Sequence, residues 1–226
     1  MFKRIFLTIL FTGLYAFATF AQEDYYAYTT DNFRKQKIFQ DTIKLENPDQ
    51  KRLNAVLFYL TNEERKKRKL SELQYHPKLE QAASIHSTSM VENNFFSHIN
   101  PRSKKLHDPN SRARFVGIEN PFLAENIIET FVLEYQAGDN VYPGEKGVFR
   151  YHPEEEPIKP RTYLRLGEVM LQAWMDSPDH RENILSKKAV QLGCGTAFYK
   201  MNDFNGMPAM AATQNFQLHV PLRVME

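Results

Sequence analysis

Near its C-terminus the chain carries two strand-like runs, Leu192–Tyr199 and Ala209–Val220. Between them, Met201 to Gly206 includes the Asn205-Gly206 pair, a strong short-range signal for an antiparallel hairpin. This hairpin constrains the fold because the earlier periodic segments are helical. Asp49 suits an N-cap, and Leu53, Val56, Leu57 and Leu60 follow on one helix face. His76-Pro77 opens a second helix whose face carries Leu79, Ala82, Ala83, His86 and Met90 and which Asn93-Asn94 ends. A third helix over about Tyr163–Met175 presents Leu166, Val169, Met170, Ala173 and Trp174 as its buried stripe. Ser177-Pro178 then starts a short helix, with Ser177 as N-cap and Asp179 complementing the positive helix start. Helices first and a hairpin last predict an α+β or layered α/β/α architecture, without the repeated βαβ rhythm of a doubly wound sheet.

The 226 residues suit one domain. At the start, Lys3 and Arg4 precede an apolar run from Ile5 to Phe20, too short for the roughly 20 residues a spanning helix needs. Residues 1–21 therefore read as a secretory signal peptide cleaved after Ala21, giving a secreted or periplasmic protein with no stable membrane span. Residues 22–48 read as an N-terminal strap or linker, and 49–226 as the domain. Without Lys3 and Arg4, cations and anions are equal in number, which argues against a nucleic acid or an anionic membrane recognised by bulk charge. The basic run Arg65–Lys69 reads as a solvated helix end whose cations complement the dipole. Cys194, the only cysteine, excludes an intrachain disulfide and reads as a buried, inert thiol. The Gly- and Pro-rich stretch at about 134–161 is too long for a plain connector and reads as a functional insertion or a mobile flap on the surface.

Three chemistry-bearing residues stand in polar, turn-rich strings: His98 in Phe95-Phe96-Ser97-His98-Ile99-Asn100-Pro101, Glu125 in Ala124-Glu125-Asn126-Ile127, and His180 in Ser177-Pro178-Asp179-His180-Arg181-Glu182-Asn183-Ile184-Leu185. With these strings the chain resembles the CAP superfamily (the SCP domain of cysteine-rich secretory, antigen and pathogenesis-related proteins), in its disulfide-poor bacterial branch. The resemblance runs from about Leu53 to Leu218. Leu60–Arg65 resembles the family's opening helix, Ala82-Ala83 through Met90 its second helix, Ala173–Leu185 its bacterial signature, and Leu192-Gly193 and Thr213–Phe216 its closing strands. It implies an α/β/α three-layer sandwich with a central antiparallel sheet. It also implies a central groove of two histidines and two glutamates, which in some members binds a divalent metal. His98, Glu125 and His180 match three of those four positions. Ser177 stands at the fourth, and the nearest other carboxylates, Glu168 and Glu182, lie outside the family position.

Several readings of the site stand side by side. His98 and His180 with Glu125 form the ligand set of an open three-ligand site for Zn²⁺ or another divalent metal. A metal-dependent hydrolase using those residues would lack an identified second carboxylate and has no His-Glu-x-x-His helix. Ser97 as a nucleophile has no Gly-x-Ser-x-Gly elbow and points away from His98 in an extended chain. The favoured reading is a secreted binding or interaction module. Its cleft would be bordered by the insertion, with Tyr135, Tyr142, Phe149 and Tyr151, and would take an apolar or extended extracellular ligand: a lipid, a polymer or a protein. A structural or adhesive envelope protein is the further alternative. The residues also have purely structural readings: His98 bonded to turn backbone, Glu125 as a cap or a partner of His180, and His86 as a satisfied core histidine.

Overall fold

The computed structural model describes residues 24–144 and 148–219. The expected signal peptide, its cleavage site and Val220 lie outside the described residues. Among the described residues, six α-helices and six strands follow in order: α1 (Lys37–Gln40), α2 (Gln50–Lys67), β1 (Gln74–Tyr75), α3 (Pro77–Glu92), α4 (Pro109–Phe115), β2 (Leu123–Phe131), β3 (Tyr142–Pro143), β4 (Phe149–Arg150), α5 (Tyr163–Asp176), α6 (Pro178–Leu185), β5 (Ala189–Met201) and β6 (Met207–Leu218). The caps form where local chemistry places them. Asp49 accepts from Arg52 N at 3.1 Å, His76 Nδ1 from Leu79 N at 3.4 Å, and Thr162 from Arg165 N at 3.1 Å.

The main sheet has the order β1-β5-β6-β2. The hairpin β5–β6 and the pair β2–β6 are antiparallel, and the two-residue β1 runs parallel to β5. Asn205 and Gly206 take the turn with φ of 50° and 78°. Successive β5 residues face opposite layers. Thr196 bonds Asn54 of α2 at 2.9 Å, whereas a Cβ on Gly193 or Gly195 would lie 2.0 Å from backbone nitrogens of α3. Helix α3 thus rests directly on the β5 backbone, which only glycine permits. α2, α5 and α6 cover one face of the sheet and α3 with α4 the other, making an α/β/α sandwich.

β2 is an edge strand nine residues long, and side chains blunt its outer carbonyls. Trp174 Nε1 donates to Ile127 O at 3.1 Å, Asn183 Nδ2 to Glu125 O at 3.4 Å, and Arg161 Nη1 to Phe131 O at 2.6 Å.

Four expectations change. α2 is not one-sided: every residue from Leu53 to Asn62 is buried. The strap is the cause. Phe33 and Phe39 are fully buried against Tyr59, Tyr26 packs edge-on to Phe58 and stacks on Tyr75 at 3.6 Å, and Tyr26 and Tyr25 donate hydrogen bonds to Glu80 and Asp49. Folded structure therefore begins ahead of Asp49. The buried stripe of α5 is also rotated: Leu166, Met170 and Trp174 are joined by Gly167, Leu171 and Met175, while Ala173 is exposed and Val169 half-buried. Gly167 sets this rotation, since a Cβ there would lie 2.5 Å from Val56.

Arg65 is not a solvated helix end. It is 1% exposed and donates to the carbonyls of Ser71, Ile184 and Ser186 at 2.8 to 2.9 Å, tying the end of α2 to the end of α6. Finally, the 134–161 segment has a core of its own. Tyr135, Phe149 and Ile158 are buried with Leu133 and Met207, and Phe131 and Phe204 pack on them. Cys194 is buried, as expected, and burial pushes its thiol pKa up.

Candidate functional site

The site forms where the α3–α4 loop, α4, one end of β2 and α6 meet. α3 stops at Asn93, Asn94 adopts φ 50°, and the chain turns into the loop carrying His98. Asp108 caps α4 by accepting from Ser111 N at 2.9 Å, which points Arg112 inward. The Arg112 guanidinium holds the loop from inside, donating to the carbonyls of Leu106, His107 and His98 at 3.1 to 3.3 Å. Arg112 is fully buried, and a buried cation requires a counter-charge. Glu125, the third residue of β2, supplies it: Arg112 Nη2 lies 2.9 Å from Oε1 and 2.7 Å from Oε2.

Two further groups engage the same carboxylate. Asn215, opposite Glu125 in the β2–β6 register, donates to Oε2 at 3.0 Å while its carbonyl accepts from Ala83 N at 3.2 Å. His98 Nδ1 lies 2.9 Å from Oε1, so ionised Glu125 selects the tautomer with Nδ1–H and leaves Nε2 as an acceptor on a side chain 47% exposed. Glu125 thus orients His98, as a second-row carboxylate orients a functional histidine.

His86 belongs to this cluster, which the sequence did not disclose. It is fully buried, and its Nε2 lies 3.7 Å from Glu125 Oε1, yet neither ring nitrogen makes a well-formed hydrogen bond. It is a core histidine, but not a satisfied one. Burial pushes its pKa down to about 4, Arg112 and His98 push the same way, and Glu125 opposes them.

His180 occupies the third position of α6, and Asn126 positions it. Asn126 Nδ2 donates to His180 O at 3.1 Å and to Gln214 Oε1 at 3.1 Å, while Asn183 donates to Asn126 Oδ1 at 2.9 Å. Gln214 in turn donates to Thr61 of α2 at 2.7 Å. Burial lowers the His180 pKa, the nearby His98 charge lowers it further, and Asp179 opposes both. The three expected residues therefore share one end of the sheet.

The neighbouring candidates serve other purposes. Ser177 occupies the N-cap position of α6, but its hydroxyl makes no capping bond. Glu168 pairs with Arg34 at 2.6 Å and Arg165 at 3.5 Å, beside the strap, and Glu182 is exposed. Neither supplies the fourth carboxylate. The Ser97 hydroxyl accepts from Ile99 N within its own loop at 3.1 Å. The 134–161 segment does not border the site. It packs at the Phe131 end of β2, six residues from Glu125, or about 20 Å along the strand. Among the described residues no three His, Cys, Asp or Glu side chains are grouped to hold a metal. The three-ligand zinc set is not assembled, because Glu125 lies behind His98 with both oxygens engaged.

Arg112, Asn126, Asn183 and Asn215 are the residues positioning this cluster that reasoning on single residues missed. The three asparagines lie inside strings already singled out, whereas nothing local marks Arg112 in Ser111-Arg112-Ala113-Arg114 as the buried one.

A three-layer α/β/α sandwich closed by an antiparallel hairpin is the fold of an SCP-type domain. The chain belongs to the CAP, or cysteine-rich secretory protein, family, whose model matches residues 58–216. It is similar to YkwD of Bacillus subtilis, an uncharacterized protein, with 29% identity over 137 residues, 60% of this chain and 39% of that one. Its fold is similar to that of an extracellular protein containing a SCP domain from Bacillus anthracis (TM-score 0.50, 23% identity, 75% of this chain and 41% of that one). An outer surface protein from Borrelia burgdorferi aligns with TM-score 0.49 and 16% identity over 76% of this chain and 96% of its own. The chain thus spans about two fifths of the length of the two Bacillus proteins.

Proposed function

We propose that this protein is an exported binding module of the CAP family whose recognition face is built on His98 and His180. The observation carrying this reading is the engagement of Glu125. With Arg112, Asn215 and His98 on its two oxygens, it is held as the counter-charge of a buried guanidinium, which opposes its taking a proton or turning to complete a metal's ligand set. A metal-dependent hydrolase needs a group that does so, and Ser177, Glu168 and Glu182 do not provide it. The face instead offers the outward Nε2 of His98 and the ring of His180, which burial keeps neutral to lower pH. Two neutral imidazoles accept hydrogen bonds from an extracellular ligand and hold a divalent ion such as Zn²⁺ only weakly, since two protein ligands fall short of the three or four of a working zinc site. Export is supported by the Lys3 to Ala21 signal-like segment, by the family's secretory name and by the extracellular description of the Bacillus anthracis protein.

Calorimetric titration of Zn²⁺ tests this reading. The parent binds weakly, less at acid pH because a metal must displace the ligand proton, and the His98→Ala/His180→Ala protein does not bind. Tight binding that survives the double substitution would place the ion elsewhere. Ester or peptide hydrolysis abolished by His98→Ala would replace the binding reading with an enzymatic one. Mass spectrometry of the exported chain, expected to begin at Gln22, tests the signal peptide.

A further inference from the structure

The equal number of cations and anions that remains without Lys3 and Arg4 conceals a local separation of charge. Six large apolar side chains stand exposed among the described residues, and four of them, Phe96, Ile99, Phe115 and Phe122, fall in the single segment from Phe96 to Phe122. That segment is one packed unit. Arg112 holds the carbonyls of His98, Leu106 and His107 on one guanidinium, Asn100 N bonds His107 O at 2.7 Å, and Leu123 N bonds Asn110 Oδ1 at 3.1 Å, drawing the Phe122 end back to the start of α4. The exposed cations Arg102, Lys104, Lys105 and Arg114 stand on the same unit, with Lys105 Nζ 4.2 Å from the centre of the Phe115 ring.

None of these four cations forms an ion pair among the described residues. Other exposed cations of the described residues, such as Lys35, Lys51 and Lys188, are unpaired too; what sets this unit apart is that its unpaired cations stand among four of the six exposed large apolar side chains. The unit's own acids only partly offset it: Asp108, whose carboxylate accepts from the backbone and the hydroxyl of Ser111, and Glu119 are two anions against the four exposed cations.

We propose that this face docks the protein on an anionic lipid bilayer, with the four cations at the headgroups and Phe96, Ile99, Phe115 and Phe122 at the headgroup–acyl boundary. Unpaired cations interleaved with exposed aromatic and aliphatic side chains are the chemistry of an interfacial membrane contact. A hydrated polyanion would use the charges but give the apolar side chains nothing to enter. A protein partner would use the phenylalanines and arginines but not Lys104 and Lys105, a residue type depleted at protein interfaces. The inference does not rest on the histidine reading, since none of the eight side chains belongs to the His98–Glu125–Arg112 centre.

Co-sedimentation of the purified chain with vesicles tests it. Binding to vesicles containing about one third phosphatidylglycerol, absence of binding to pure phosphatidylcholine, and loss of binding at high salt are expected. Lys104→Glu/Lys105→Glu should weaken partitioning by at least about fivefold for each cation lost. Phe96→Ser/Phe115→Ser should weaken it too, with melting unchanged because both side chains are exposed. His98→Ala should bind vesicles like the parent, which separates this proposal from the histidine reading. Equal binding to neutral vesicles or no binding to anionic ones would overturn it. So would binding to soluble polyphosphate that matches vesicle binding and ignores Phe96→Ser/Phe115→Ser, which would identify a soluble polyanion as the partner.

Discussion

Arg112 and Glu125, both withdrawn from solvent, meet at 2.7 and 2.9 Å, and this pair joins the loop of His98 to the edge strand of the sheet. Arg112 fixes the loop through three carbonyls, and Glu125 fixes the ring of His98, so the orientation of the exposed imidazole follows from a contact it does not itself make.

Breaking the pair from one side leaves an uncompensated buried charge. Arg112→Met should therefore destabilise the protein by about 3 to 5 kcal/mol, whereas Arg112→Met/Glu125→Leu should recover much of that loss. Urea unfolding of the two variants and the parent measures this. A double variant less stable than Arg112→Met would show that the carboxylate contributes more than charge balance.

His86 should make stability fall in mild acid. Its folded pKa of about 4 lies below the ordinary value of 6.5, so between those values the unfolded chain binds the extra proton. The contribution is fully present above about pH 6.5, is lost as pH falls towards 4, and amounts to about 3 kcal/mol at most. The fall in unfolding free energy between pH 7 and pH 5 should be smaller in His86→Phe than in the parent. Equal slopes would refute the assignment.

The strap should be required for folding. Phe39 is fully buried against Phe33, Tyr25, Tyr28 and Tyr59, and Phe39→Ala should cost about 3 to 5 kcal/mol. A chain beginning at Asp49 would expose the strap-facing side of α2 and should aggregate or bind hydrophobic dyes. A monomeric, parent-like melt from that shortened chain would mean the strap is dispensable.

Gly195 allows α3 to lie on the sheet. The added Cβ of Gly195→Ala would meet the Ser84 backbone nitrogen at 2.0 Å, so the helix must shift, at a cost of about 3 kcal/mol. Thermal unfolding gives the answer, and an unchanged melting temperature would show that α3 moves freely. Gly206→Ala has open space around its Cβ but a φ of 78°, and its smaller penalty would come from backbone strain alone.

The helices and the C-terminal hairpin were legible because their signals are local. A cap such as Asp49, the Asn205-Gly206 turn, and the apolar spacing of Leu53 to Leu60 each act within a few residues. The strings around His98, Glu125 and His180 were legible for the same reason, and they pointed to a family whose fold the structure has. Periodicity reports which side of a helix is apolar, but it does not say what will cover the other side. Phe58 and Tyr59 lie off the Leu53–Leu60 stripe, and it is the strap aromatics, from Tyr26 to Phe39, that cover them.

Tertiary structure alone decided the chemistry of the site. Arg112 and Arg114 are two residues apart on one short helix, yet only Arg112 has an anion 13 residues away positioned to offset its burial, while Arg114 stays in water. The sequence by itself determined that a histidine and a glutamate would be present. Whether that glutamate would ligate, take protons or orient a ring depended on which donors reached its two oxygens. Those donors come from α4, β6 and the α3–α4 loop, which only the packed fold brings to one point.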